Sequence, residues 1–190
     1  VQQPSVTLPA YSNFFSSSIN GLNFNFINTE SLTINTTNNT VVFSDVLLKQ
    51  GINSQNKYTV DSTTNPTYTF EIPDSNIDTS TLRVTVQKSS SNSYIDVYSL
   101  AQDYITLTGE SKVYFLQEGL SGKYEIYFGD GVIGKQLEDG NVVIADYIVT
   151  EGSASLGANS FVLIDYVQGM ENNYINGKIA ASQGLSLIHI

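Results

Sequence analysis

Residues 112–150 read KVYFLQEGLSGKYEIYFGDGVIGKQLEDGNVVIADYIVT, and their alternation decides the fold. Over residues 112–116, Val113 and Phe115 share one face. Over residues 123–128, Tyr124, Ile126 and Phe128 oppose Glu125 and Tyr127. Over residues 141–150, Val142, Ile144 and Asp146 oppose Val143, Ala145 and Tyr147. A side-chain period of two marks a pleated strand, because successive Cβ atoms point to opposite faces. Between these segments stand Gly119, Ser121-Gly122, Gly129-Asp130-Gly131, Gly134-Lys135 and Asp139-Gly140, all turn formers. Phe128, Gly129, Asp130, Gly131, Gly134, Lys135, Asp139 and Gly140 therefore form a structural turn motif. Gly129 and Gly131 are expected to supply positive φ on either side of Asp130. Asp130 then reads as a turn residue and not as a metal ligand or catalytic acid. The spacing of residues 129–135 is not that of a phosphate-binding P-loop, and no strand-to-helix context accompanies it.

The same grammar extends outward. Strands are expected at residues 5–8, 22–26, 31–34, 58–60, 82–86, 94–98 and 104–107, with a long buried one at 41–48 and a last one at 161–167. Asn20-Gly21 predicts a type I′ hairpin turn. Residues 74–80, rich in Asp, Asn and Ser, predict a tight corner. Strands recurring every ~8–12 residues indicate an all-β chain. The expected class is mainly β, with antiparallel β-sandwich or barrel-like lobes and little helix; residues 178–182 are the one place where a helix could start. The division expected is a first lobe over residues 1–50 and a second over 51–168 that carries the FGDG region. Residues 169–184 would be a linker or the start of a truncated following domain. The last six residues, LSLIHI (185–190), resemble the translation of a sequencing-library adapter.

Composition limits function. Hydrophobic residues make up 41% of the 190, enough for a core, and the abundance of Tyr (12) and Phe (9) suits half-buried strands. The formal net charge of -10 repels phosphate backbones, so no nucleic acid is expected as a partner. No apolar run approaches the ~20 residues of a membrane helix, and no membrane partner is expected. There is no cysteine, hence no thiolate nucleophile and no Cys-based zinc site. The single histidine is His189, inside LSLIHI; setting that string aside removes any Ser-His-Asp arrangement. Asp96, Asp103, Glu110, Glu118, Glu125, Asp139 and Asp146 are scattered along strands and turns as solvated acids. No catalytic residue, metal or cofactor is expected. Tyr94, Tyr98, Tyr124, Tyr127 and Tyr147 could line an assembly surface, since Tyr is enriched at interfaces.

YFGDGVIGK (127–135), DGN (139–141), Tyr147, Thr150 and Gly152 follow one another in an order and spacing that resemble the baseplate wedge protein family of T4-type contractile-tailed phages, its marine members especially. SVTLPAYSNFFSSSINGLNFNF (5–26), VVFSDVLLKQG (41–51), NIDTSTLRVTV (76–86) and KVYFLQEG (112–119) fit the same family. The resemblance implies a structural virion protein of the tail baseplate and no enzyme. It implies other wedge proteins and a second copy of itself as partners, and a part in relaying the rearrangement that triggers sheath contraction. It also implies a stretch from the middle of a longer chain, as does the opening Val1-Gln2-Gln3-Pro4, which lacks an initiator Met. Leu156 departs from the small or polar residue expected in the 152–159 loop. The alternative reading is a surface adhesin or carbohydrate-binding β-domain of phage or bacterial origin.

Overall fold

In the computed structural model, which describes residues 5–37, 41–165, 180–181 and 187–189, the alternating segments become strands. The first five are β1 (Ser5–Leu8), β2 (Asn13–Ser16), β3 (Asn25–Asn28), β4 (Leu32–Asn35) and β5 (Leu47–Gln50). Next come β6 (Ile52–Thr59), β7 (Thr69–Glu71), β8 (Ile77–Ser89), β9 (Asn92–Leu100), β10 (Val113–Glu118), β11 (Tyr124–Phe128) and β12 (Val142–Val149). The last are β13 (Phe161–Leu163), β14 (Ala180–Ala181) and β15 (Leu187–His189). Two short 3-10 turns, Tyr104–Thr106 and Gly152–Ser155, are the helical elements among the described residues. The chain is thus mainly β, as its alternation requires.

Two compact units divide the chain: residues 54–149 form one, and residues 1–53 with 150–190 form the other. β13 pairs with β2, so the chain after residue 150 returns to the unit that holds its first strands. In that first unit a sheet ordered β13-β2-β3-β5-β15-β14 accompanies the β1–β4 pair. Val6 and Leu8 of β1 share a core with Phe14, Phe26, Leu48 and Phe161. Phe26 and Phe161 meet edge to face at 4.8 Å, a favoured aromatic geometry. The Asn20-Gly21 turn takes φ of 52° and 84°, positive at both central residues as a type I′ turn demands. Gln50 is buried, and its Oε1 accepts hydrogen bonds from Thr150 Oγ1 (2.6 Å) and Glu151 N–H (2.8 Å), which fastens the returning chain.

The second unit holds a nearly closed, barrel-like seven-stranded sheet ordered β6-β12-β8-β9-β10-β11-β7. β12–β8, β8–β9, β10–β11 and β11–β7 pair antiparallel, whereas in β9–β10 Ser99 and Leu100 run parallel to Val113 and Tyr114. Ile126, Val84 and Val143 point inward, with Phe70, Phe128 and Tyr147 beside them. β12 is buried on both faces for most of its length, which explains its near-continuous apolar sequence. The tight corner expected at 74–80 is displaced into β8 itself. Asp146 pairs with Arg83 and Ile148 with Asp78, so residues 79–82 bulge out opposite Tyr147 alone. Asp78 Oδ1 accepts Ser80 N–H (3.0 Å) and Oγ–H (2.6 Å), and Thr81 Oγ1 accepts Ile148 N–H (3.0 Å), replacing the lost ladder.

Four expectations are corrected. The long strand at 41–48 is confined to Leu47–Gln50, because Asp45 takes φ of 56° and breaks the extension. Residues 104–107 form a 3-10 turn, not a strand; Asp103 caps it by accepting Ile105 N–H at 2.9 Å. β6 reaches back to Ile52 through the polar run INSQNKYT, since sheet-edge pairing with β12 needs backbone and not apolar side chains. Ala180–Ala181 is extended against β15 and begins no helix. The apolar string at the chain end places Leu187–His189 as a strand on β5, as an apolar segment does when it meets an open sheet edge.

Ile126 is fully buried. Ile126→Ala is expected to cost about 2–5 kcal/mol of stability by chemical denaturation, while Val132→Ala at an exposed site stays within about 0.5 kcal/mol. Equal effects would contradict the assignment of the core.

Candidate assembly surface

The turn motif splits into two jobs. Phe128 ends β11 with its ring inside the barrel, edge to face with Tyr98 (5.5 Å) and Phe70 (6.1 Å). Positive φ then falls on Gly131 (88°) and Gly134 (84°), not on Gly129. Gly129 is needed for another reason: a Cβ there would lie 2.3 Å from the carbonyl oxygen of Ile133. Asp130 Oδ1 accepts the N–H groups of Val132 (2.9 Å) and Ile133 (3.0 Å), and these two bonds hold its carboxyl below the usual range. Asp130 is therefore a turn cap, with both peptide donors satisfied by one carboxylate oxygen. Asp139 and Gly140 act elsewhere. Asp139 accepts Ser62 N–H (2.7 Å) and Ser62 Oγ–H (2.8 Å), and Gly140 N–H donates to Val60 O (2.9 Å), so this turn clasps the end of β6.

Residues 129–135 also interlock with residues 101–112. Gly134 N–H donates to Thr108 O (3.0 Å) and Lys135 N–H donates to Ser111 O (2.8 Å). At Gly109 a Cβ would sit 2.0 Å from Gly131 O, so only glycine permits this approach. On the outer face, Tyr104, Phe115 and Tyr127 form a stack with ring separations of 5.5 and 4.9 Å. The 3-10 turn is thereby pinned to β10 and β11.

The five tyrosines read as one surface separate. Tyr94 is exposed. Tyr98 and Tyr147 are buried in the barrel core, and Tyr124 packs against that core at the rim. Tyr127 lies on the opposite face, in the outer stack. Parity along β9 sends Tyr98 inward, where it pairs with Val84 of β8. Burial pushes the Tyr98 phenol up to about 12, with the charges of Asp96 and Glu138 adding to the rise. Tyr147 rises also, through burial first and then its hydrogen bond to Asp74. What the alternation did not expose is Tyr104 and Ile105, read as strand, and Gly109, whose single available signal was a glycine following Thr108 near a predicted strand start. Among the described residues no group of three His, Cys, Asp or Glu side chains could hold a metal ion. Asp96 is occupied by Lys112 Nζ at 2.5 Å, and Glu71 by Lys123 Nζ at 3.1 Å.

The loops, turn motif and strands from β7 to β13 all fall within residues 58–168, which match the family described as bacteriophage baseplate wedge protein gp6, third domain. The chain belongs to this family. A comparison with the curated proteins finds no match. As a baseplate wedge protein, it is a structural component of the phage tail baseplate in the virion.

Two outcomes follow from this geometry. Gly109→Ala should cost about 1–3 kcal/mol by overpacking, read from denaturation midpoints; an unchanged midpoint would mean that the two loops are not locked. Tyr58 and Tyr98 have folded values of about 12 against an ordinary 10.0. Their protons are held more tightly in the folded state, so this stability is complete below pH 10.0 and is lost as pH climbs towards about 12. Urea midpoints should fall across that window, less steeply in Tyr98→Phe; a flat profile would contradict it.

Proposed function

We propose that this protein builds the contractile-tail baseplate by packing against other wedge proteins and a second copy of itself. In this reading it also relays the rearrangement that triggers sheath contraction. The match of residues 58–168 to the wedge family carries the proposal. Two further features support it. The barrel-like unit is rigid by construction, with bulges and loops tied down by side-chain caps, and a stiff body transmits displacement without absorbing it. Asp130 and Asp139 sit in turn caps, and Asp96 and Glu71 sit in ion pairs. A glycan platform, by contrast, would need tyrosine rings gathered on one face, and Tyr98 and Tyr147 are inside.

Co-expression with the other wedge proteins of the same phage tests this. The protein should sediment as part of a wedge complex, and a protein that sediments alone would refute the assembly role. For the relay, tails carrying Tyr147→Phe, which removes the hydroxyl bound to Asp74, should assemble in normal number and contract more slowly. Identical contraction rates would remove that half of the proposal.

A further inference from the structure

We propose that the interlocked loops 101–112 and 129–135 form a preorganised docking ridge for a different baseplate protein, one that presents an apolar groove bordered by lysine or arginine. This rests on the baseplate reading and names the surface and the chemistry of its partner. Ile105 is 93% exposed, Val132 72%, Tyr104 58% and Ile133 45%. Single apolar side chains at a surface are ordinary, but four on two loops locked to each other make a concentrated feature.

The loops that carry these side chains are held in place. The backbone contact of Gly109 with Gly131, the bonds to Thr108 O and Ser111 O, and the Tyr104 stack on Phe115 fix them. Little conformational freedom remains to be lost on docking, which favours binding through a small surface. A mobile loop of the same composition would lose that advantage.

Charge selects the occupant. Asp103, Glu110 and Asp130 lie on the same loops, all exposed, and none is in an ion pair among the described residues. Asp130 stays ionised because two peptide N–H groups stabilise its carboxylate. A second copy of this chain answers these charges poorly. It offers 8 Lys and Arg against 18 Asp and Glu, and Lys112 and Lys123 are already engaged. Apposing two such surfaces sets carboxylates against carboxylates, whereas a basic-rimmed groove complements both the apolar ridge and its acidic border.

The test uses the full-length protein co-expressed with the other wedge proteins of its phage. A photo-crosslinking residue at position 105 or 132 should join to a chain other than this one, at a site flanked by Lys or Arg. Ile105→Asp with Val132→Asp should weaken incorporation into the wedge at least about tenfold, the scale of a buried apolar anchor, with an unchanged melting profile. Glu110→Lys, at an exposed side chain, should weaken it and reduce its salt dependence. Crosslinks to a second copy, no crosslink in an assembled wedge, or a paired variant that incorporates normally would each overturn the proposal. A wild-type protein that enters no wedge would instead sink the baseplate reading on which the proposal rests.

Discussion

Tyr58 and Tyr147 set their rings against the core of the barrel-like unit while their hydroxyls reach the margin between β6 and β7. These are the outermost strands of the seven-stranded sheet, and its order gives no ladder between them. Tyr58 Oη–H donates to Glu71 O at 2.8 Å, Tyr147 Oη–H donates to Asp74 Oδ2 at 2.6 Å, and Asn56 donates to the Tyr147 hydroxyl. An open sheet of this length would leave Phe70, Ile126 and Val143 half wet. Curling brings its margins near each other, and a side chain with an apolar body and a polar tip suits the gap. The same curling shields the sheet's two edges, which would otherwise be templates for stray pairing.

A ring sequence runs through the interior from that margin: Tyr58 on Phe70, Phe70 on Phe128, Phe128 on Tyr98. Outside, Tyr104, Phe115 and Tyr127 stack. β11 supplies a member to each set because neighbouring residues face opposite ways. Phe128 reaches the interior, while Tyr127, its neighbour, holds the outer turn. The glycine-rich segment begins where these strands end, so its backbone inherits their fixed positions. Nearby, Asp130 holds the peptide N–H groups of Val132 and Ile133, and Asp96 holds Lys112.

Strand identity was legible wherever apolar and polar residues alternate, as in Leu82–Gln87 territory and along β10 to β12, because that pattern is itself the sheet's two faces. It was less legible where pairing, not burial, makes a strand. β6 is a polar run, and its extension depends on β12 lying alongside. Residues 41–46 mislead in the opposite sense: four of the six are apolar, yet Val42 faces solvent and Asp45 turns the chain. The separate work of each glycine in residues 128–140 was not legible. Whether a glycine supplies a dihedral or clears space for another backbone depends on what lies across from it, and Gly109 and Gly131 are 22 positions apart in the chain (131 − 109). Tyr98 and Tyr147 lie inside and Tyr94 outside, and period-two parity assigns residues to faces without saying which face is the inside.

β6 and β12 adjoin in the sheet, and the chain enters the barrel-like unit on one and leaves on the other. Residues 54–149 are consequently inserted into the first unit through two neighbouring strands. Both ends of the inserted unit are therefore held side by side by its own backbone ladder, so its closure depends on no strand outside residues 52–149.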